Sequence, residues 1–269
     1  MPITPTDVER WLREDLGHHD VTNDVPGETA GRLIAKECGV LAGTEAGTQV
    51  FDYLGCDAHA LVDDGSCVEA GEPVLDVAGD AQSVLRGERV AVNIIGHASG
   101  VATATRRAVE AAREESADVA IAATRKTTPG LRGIEKRAVV AGGGDTHRLT
   151  LSHMVMVKDN HVAEMGLETA VERFRKVASF ATKIEVEVET PADAPRAADA
   201  GADIVLLDNM TPKKTADAVE RLPTGVLAEA SGGITIEEVP DYAATGVDVI
   251  SIGALTHSAP SLDFSFRTG

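Results

Sequence analysis

The first hundred residues and the rest of the chain follow different rhythms of apolar and polar positions. Near the start, Val8, Trp11, Leu12 and Leu16 recur at helical spacing, and Gly17 ends the run, so a helix is predicted over residues 6–16. Short alternating runs follow at 32–36, 58–62 and 73–77, separated by the turn signals Asp64-Gly65 and Ala70-Gly71. Residues 81–115 take a helical period, with a break expected near Gly96 to Gly100. Beyond that, strand-like runs at 119–123, 154–157, 183–188, 203–207, 226–230 and 247–252 alternate with helical stretches at 167–178, 192–200, 213–221 and 236–243. That alternation is the mark of parallel strands joined by helical crossovers.

Six strands of this rhythm fit an open sheet as well as a barrel. The polar positions favour the barrel. Arg125, Lys158, Asp208 and Ser231 each fall just past a predicted strand, and Glu185, Glu187 and Glu189 alternate with Val186 and Val188, which puts the glutamates on one face. In a barrel that face is the interior, where carboxylates are costly unless they bind something. Polar groups gathered at the C-terminal ends of several strands are how barrel active sites are built.

Composition changes this picture in one respect. Aromatics are only 3% of the 269 residues, so the core must rest on Val, Ile, Leu and Ala. The net charge of −18 argues against nucleic acid as a partner and reads as a solvating acidic surface of the kind found in salt-adapted proteins. Against that background, residues 124–158 carry seven lysines and arginines and only two acids, Glu135 and Asp145. A basic island in an acidic chain points to an anion pocket. No apolar run reaches membrane-spanning length, and the N-terminus lacks a secretory stretch, so a cytoplasmic protein is expected. Cys38, Cys56 and Cys67 have neither disulfide-framework nor zinc spacing.

The island holds the strongest motif, Thr124-Arg125-Lys126-Thr127-Thr128-Pro129-Gly130-Leu131-Arg132, which leaves a strand, turns and enters a helix. Arginine grips a carboxylate with a planar fork, and lysine brings a point charge suited to phosphate, so the pair suits a ligand bearing both groups. Gly142-Gly143-Gly144 reads as a flexible helix stop. His147 alone reads as a structural histidine, but beside Arg148 it becomes a second carboxylate grip. Ser231-Gly232-Gly233 and Gly253-Ala254-Leu255 open helices after the last two strands, where backbone N–H groups can approach a phosphate.

In this order these segments resemble the quinolinate phosphoribosyltransferase family. The motif from Thr124 to Arg132 looks like its TRKTxPGxR signature. Glu14-Asp15-Leu16-Gly17, Glu88-Arg89, Ser99-Gly100-Val101, Glu135-Lys136, His147-Arg148, Lys158-Asp159-Asn160-His161, Glu185-Val186-Glu187, Leu207-Asp208-Asn209 and Glu229-Ala230-Ser231-Gly232-Gly233 follow as the family would have them. Departures at His18-His19, Arg137 and His153 fall outside the ligand-gripping positions. The resemblance implies an N-terminal α/β sandwich over residues 1–101, joined by 255–269, and an incomplete α/β barrel of fewer than eight strands over 102–254.

The resemblance also implies the chemistry: phosphoribosyl transfer from 5-phosphoribosyl 1-diphosphate to quinolinate with loss of CO2, giving nicotinate mononucleotide for NAD synthesis. Arg89, Arg125, His147, Arg148 and Lys158 would hold quinolinate. Lys126, Glu187, Asp208, Ser231, Gly232 and Gly253 would hold the phosphoribosyl diphosphate, and Lys126, Lys158, Glu187 and Asp208 would serve catalysis. Glu187 and Asp208 would bear Mg2+, directly or through water. A homodimer or a hexamer of dimers is implied, with Arg89 crossing the interface. The alternatives are a related barrel acting on nicotinate, a relative tied to molybdate uptake, and a sensor that binds the diphosphate without turnover. Two decoys read as plain structure: Asp63-Asp64-Gly65 as a turn and His18-His19-Asp20 as a loop.

Overall fold

A computed structural model describes residues 2–269. In chain order its elements are α1 (Pro5–Leu16), β1 (Glu28–Ala35), β2 (Gly39–Val40), α2 (Thr44–Tyr53), β3 (Asp57–Ala60), β4 (Cys67–Val68), β5 (Pro73–Asp80) and α3 (Ala81–Arg113). Then come β6 (Ala120–Ala123), α4 (Arg132–Ala141), β7 (Val155–Val157), α5 (Asp159–Met165), α6 (Leu167–Val177), β8 (Ile184–Val188), α7 (Asp193–Asp199) and β9 (Ile204–Asp208). The chain closes with α8 (Pro212–Arg221), β10 (Leu227–Ser231), α9 (Val239–Ala243), β11 (Val249–Ile252), α10 (Ala254–His257) and β12 (Phe264–Thr268).

The chain divides into two compact units. One takes the chain up to Arg106, Thr128–Gly143 and Ser258–Gly269; the other takes Arg107–Thr127 and Gly144–His257. The first unit carries an antiparallel sheet of order β12-β1-β5-β3 and a small β2-β4 pair. Thr4 caps α1 in a reciprocal box with Asp7, Val8 and Leu12 are buried, and Gly17 at φ 56 ends the helix as its position in the sequence predicts. β12 lies against β1 from Arg267↔Arg32 to Phe264↔Ala35, so the C-terminus belongs to this sheet. Phe51, fully buried, stacks on Phe266 at 5.8 Å.

Two expectations about glycines are corrected here. The break foreseen near Gly96 to Gly100 does not occur; α3 runs unbroken for 33 residues. These glycines make room instead. A Cβ on Gly100 would lie 2.0 Å from the Pro260 carbonyl oxygen, and one on Gly96 would lie 2.9 Å from that of Leu262. Gly142 does end α4, but it is closely packed rather than loose: a Cβ there would lie 2.5 Å from the Ala102 carbonyl oxygen, and its own carbonyl accepts from Arg106 Nε at 3.0 Å. The decoys are structural. Asp64 accepts from the Gly43 and Thr44 N–H groups at the start of α2, and Asp20 pairs with Arg86 at 2.8 Å.

The second unit is a parallel six-stranded sheet of order β6-β11-β10-β9-β8-β7 with helical crossovers. β6 and β7 are its edges, and it is the incomplete α/β barrel that the polar positions past the strands favour. Val186, Val205, Ala230 and Ile250 are fully buried, which is why these strands read as nearly continuous small and β-branched runs. Among the described residues, no helix is long and apolar enough to cross a membrane.

Candidate active site

Register decides which side chains share the inner face of the second unit. Met156 pairs with Glu185, Glu187 with Leu206, Leu206 with Glu229, and Ser231 with Asp208. Side chains two apart on a strand share a face, so Lys158, Glu185, Glu187, Asp208, Glu229 and Ser231 project to one side. Glu185 is completely buried and Glu187 partly so, whereas Glu189 lies past the end of β8 and is exposed. The alternation seen in the sequence therefore holds for two of its three glutamates.

Lys158, the first residue after β7, forms an ion pair with Glu187. Asp208 ends β9, and its carboxylate accepts from the Asn209 amide at 2.6 Å. Asn209 takes a left-handed backbone conformation, φ 53, and its N–H donates to the Ser231 carbonyl at 2.9 Å. Gly232, at φ 108, sits tightly against Asn209: a Cβ would lie 2.4 Å from Asn209 Oδ1 and 2.6 Å from its N. The turn after β11 meets the loop after β6 in the same way. A Cβ on Gly253 would lie 3.1 Å from Lys126 Cδ, and the Thr256 hydroxyl donates to the Lys126 carbonyl at 2.7 Å. The structure thus brings Lys126 to Gly253 and Asp208 to Ser231 and Gly232.

His147 and Arg148 reach this face through an edge contact. Asp145 bridges to Ala122 beside β6, giving its N–H to Ile121 and accepting from Ala123, and its Oδ1 accepts the His147 N–H at 2.6 Å. His147 is held at φ 50, an uncommon conformation for a residue with a side chain. Its Nε2 donates to Glu229 at 3.1 Å and lies 3.6 Å from Glu185. Burial opposes a charge on the ring, but these two carboxylates outweigh it and push the His147 pKa up to about 10. Burial also pushes the Glu185 carboxyl up to about 7, against the pull of His147.

Arg148 is buried, with Nη2 2.9 Å from Met156 Sδ. Desolvation draws its pKa down, Glu185 raises it, and repulsion from Arg125 lowers it further. Arg125 and Arg148 each keep a buried Nε with no hydrogen-bond partner among the described residues. Two cations with unspent buried donors are prepared for an anion.

Arg89, on α3 in the first unit, is exposed and pairs with Glu88 at 3.7 Å. Sequence reasoning missed the roles of Glu229, Glu185 and Asp145 around His147. The inward period of β8 and the place of Glu229 two residues before Ser231 were the signals that could have found the first two. Glu187 and Asp208, on neighbouring strands, are hard oxygen donors of the kind Mg2+ takes together with water and phosphate oxygens.

Residues 20–99 match the model of the quinolinate phosphoribosyl transferase N-terminal domain, and residues 101–267 match that of the C-terminal domain. A probable nicotinate-nucleotide pyrophosphorylase [carboxylating] of Methanothermobacter thermautotrophicus is 45% identical over 97% of this chain and 97% of its own. The human nicotinate-nucleotide pyrophosphorylase [carboxylating] is 43% identical over 97% of this chain and 90% of its own. The crystal structure of NadC from Streptococcus pyogenes superposes with a TM-score of 0.91 at 38% identity, covering 99% of this chain and 98% of that one. With both domain models matched, and with the inward carboxylates of β8 and β10 set against His147, this chain belongs to the quinolinate phosphoribosyl transferase family.

Proposed function

We propose that this chain transfers the phosphoribosyl group of 5-phosphoribosyl 1-diphosphate to quinolinate with decarboxylation, yielding nicotinate mononucleotide, diphosphate and CO2 for NAD synthesis. The observation that carries this reading is a pair of arginines, half-buried Arg125 and buried Arg148, whose buried Nε donors lack acceptors among the described residues, on the same unit as an imidazole held charged by Glu185 and Glu229. A dicarboxylate answers several cations; nicotinate, with one carboxylate, leaves some unpaired at a cost.

In the proposed assignment Arg125, His147, Arg148 and Lys158 grip the two carboxylates, with Arg89 arriving from a neighbouring subunit of a dimer or a hexamer of dimers. Lys126 faces the diphosphate, Ser231, Gly232 and Gly253 the 5′-phosphate, and Glu187 and Asp208 the ribose. The pyridine nitrogen bonds to ribose C1 while the C1–O bond breaks and its electron pair leaves with diphosphate. Positive charge develops on the ribose at that moment, and the Glu187 and Asp208 carboxylates stabilise it. Lys126 and Lys158 counter the charge of the leaving group. Mg2+, held by Glu187 and Asp208 directly or through water, would neutralise the rest of the diphosphate charge when bound. The ring nitrogen, now cationic, accepts density as the bond from C2 to its carboxylate breaks. CO2 departs, and a proton takes the pair left on C2. No covalent nucleophile is required, and the proposed location is the cytoplasm.

The test is a mixture of purified protein, quinolinate, phosphoribosyl diphosphate and Mg2+. Nicotinate mononucleotide and CO2 should form in equal amounts, and excess nicotinate should neither compete nor react. Turnover of nicotinate in place of quinolinate would overturn the assignment. So would failure to form product with either base.

A further inference from the structure

The His147 cluster contains more charge than a carboxylate grip requires. Among the described residues, neither oxygen of fully buried Glu185 finds a hydrogen-bond partner, and Glu229, 1% exposed, leaves Oε1 without one. An interior built only for stability would not place two such groups side by side, because each loses its hydration without full repayment. Their strand neighbours are what such an interior would use: Glu185 pairs in register with Ile204, and Glu229 with Leu206 and Val249.

What the two carboxylates share is the imidazole Nε2 of His147. Three anchors then fix that residue: its N–H on Asp145, its left-handed backbone, and its ring on Glu229. With Nε2 engaged, Nδ1 is the remaining donor edge, and it hydrogen-bonds to no described residue.

We propose that Glu229, supported by Glu185, is the positioning residue for His147: it clamps Nε2 from within the barrel, fixes the plane of the ring, and keeps a proton on Nδ1 for donation to a substrate carboxylate. A neutral imidazole so clamped would keep its one proton on Nε2 and offer Nδ1 as an acceptor, which repels a carboxylate. The clamp therefore sets the sign of the interaction with substrate as well as its direction. The pKa of about 10 agrees with that geometry. The other titratable groups near the ring are Arg148 beside it, Asp145 on its own segment, and Lys183 and His153, which line the same cavity of about 350 Å3. Among the described residues, Glu229 at 3.1 Å and Glu185 at 3.6 Å are the ion-pair partners of Nε2, so the clamp resides in them.

This inference rests on the reading of His147 as a carboxylate grip, and its test separates the two. The first measurement needs no turnover. In free protein with isotope-labelled histidine, the His147 ring, assigned by its absence in His147→Asn, should stay doubly protonated well above about pH 8. In Glu229→Gln, which keeps the size and shape of the side chain, its titration should move down by more than about one unit. A His147 that titrates in the ordinary histidine range in the unaltered protein overturns the proposal, whatever the variants do. The second measurement is steady-state kinetics with quinolinate. In Glu229→Gln, KM for quinolinate should rise by about tenfold or more at about pH 8 while KM for phosphoribosyl diphosphate holds. Near pH 6, where an unassisted imidazole is protonated, KM should return toward the unaltered value. A rise of equal size at both pH values would show a merely structural role and refute the clamp. Absence of turnover in the unaltered protein would sink the functional reading, while the ring measurement would still decide the charge state.

Discussion

Replacing Gly232 by alanine tests the proposed phosphate loop most sharply, because two separate costs can be told apart. Gly232 holds φ +108, a conformation nearly closed to residues with a Cβ, and that strain costs about 1–3 kcal/mol. The added methyl would also lie 2.4 Å from Asn209 Oδ1, 2.6 Å from its N and 2.8 Å from its Cα, so the backbone after β9 must shift. A stability loss of about 2–4 kcal/mol follows. At roughly 2–4 °C per kcal/mol for a chain of this size, the melting temperature should fall by roughly 5–15 °C. Gly225→Ala is the control: φ is +97 there, but a Cβ meets nothing within 4 Å, so it incurs the strain alone. The shift of Asn209 also loosens Asp208 and Ser231. Loss of one charge-assisted hydrogen bond to phosphate, about 1.5–3 kcal/mol, should raise KM for phosphoribosyl diphosphate by roughly 10- to 150-fold with little change in KM for quinolinate. Calorimetry and initial-rate kinetics on the two variants provide the assay. If Gly232→Ala melts with Gly225→Ala and keeps its KM, the packing of this turn does not govern phosphate binding and the assignment of Gly232 is wrong.

Three further outcomes are expected. Lys158→Met should reduce kcat by about a hundredfold or more, yet change stability by less than about 1 kcal/mol, since the pair with Glu187 is half open to solvent at 45% lysine exposure; a large loss of melting temperature with near-normal turnover would contradict this. Gly100→Ala should destabilise by about 2 kcal/mol despite its better helix propensity, because the methyl would meet the Pro260 carbonyl oxygen at 2.0 Å; a thermal melt equal to or above the parent's rejects it. The His147 pKa is raised from 6.5 to about 10, so its stabilising contribution is complete below about pH 6.5 and is lost as pH climbs through 10. The melting temperature should therefore decline across that window, and His147→Asn should flatten the decline.

The legible parts of the fold share a physical origin. Strand and helix rhythm after residue 119 survived because buried parallel strands need apolar runs whatever lies around them. Gly17 was readable because a helix end is a local event. The misreadings concern contacts with segments distant in sequence. Nothing near Gly96 or Gly100 reveals that residues 260–262 cross α3 there, so glycines that permit close packing looked like glycines that break a helix. β12 was missed as a strand for the same reason, since its partner β1 is more than 200 residues earlier.

For the site, the sequence by itself determined the chemical kinds: a basic island in an acidic chain, carboxylates spaced two apart on a strand, and small residues after the last strands. Charge and side-chain period are properties of a residue and its near neighbours, so they can be read without coordinates. Only the tertiary structure decided which of these groups meet. The register of β8, β9 and β10 sets Glu185 and Glu229 against one imidazole, and the bridge from Asp145 to β6 carries His147 within their reach. A carboxylate in water and a carboxylate in a dry barrel have the same letter in a sequence. Burial and the distance to the next charge give them different protonation and different work, and both arise only when the strands are brought side by side.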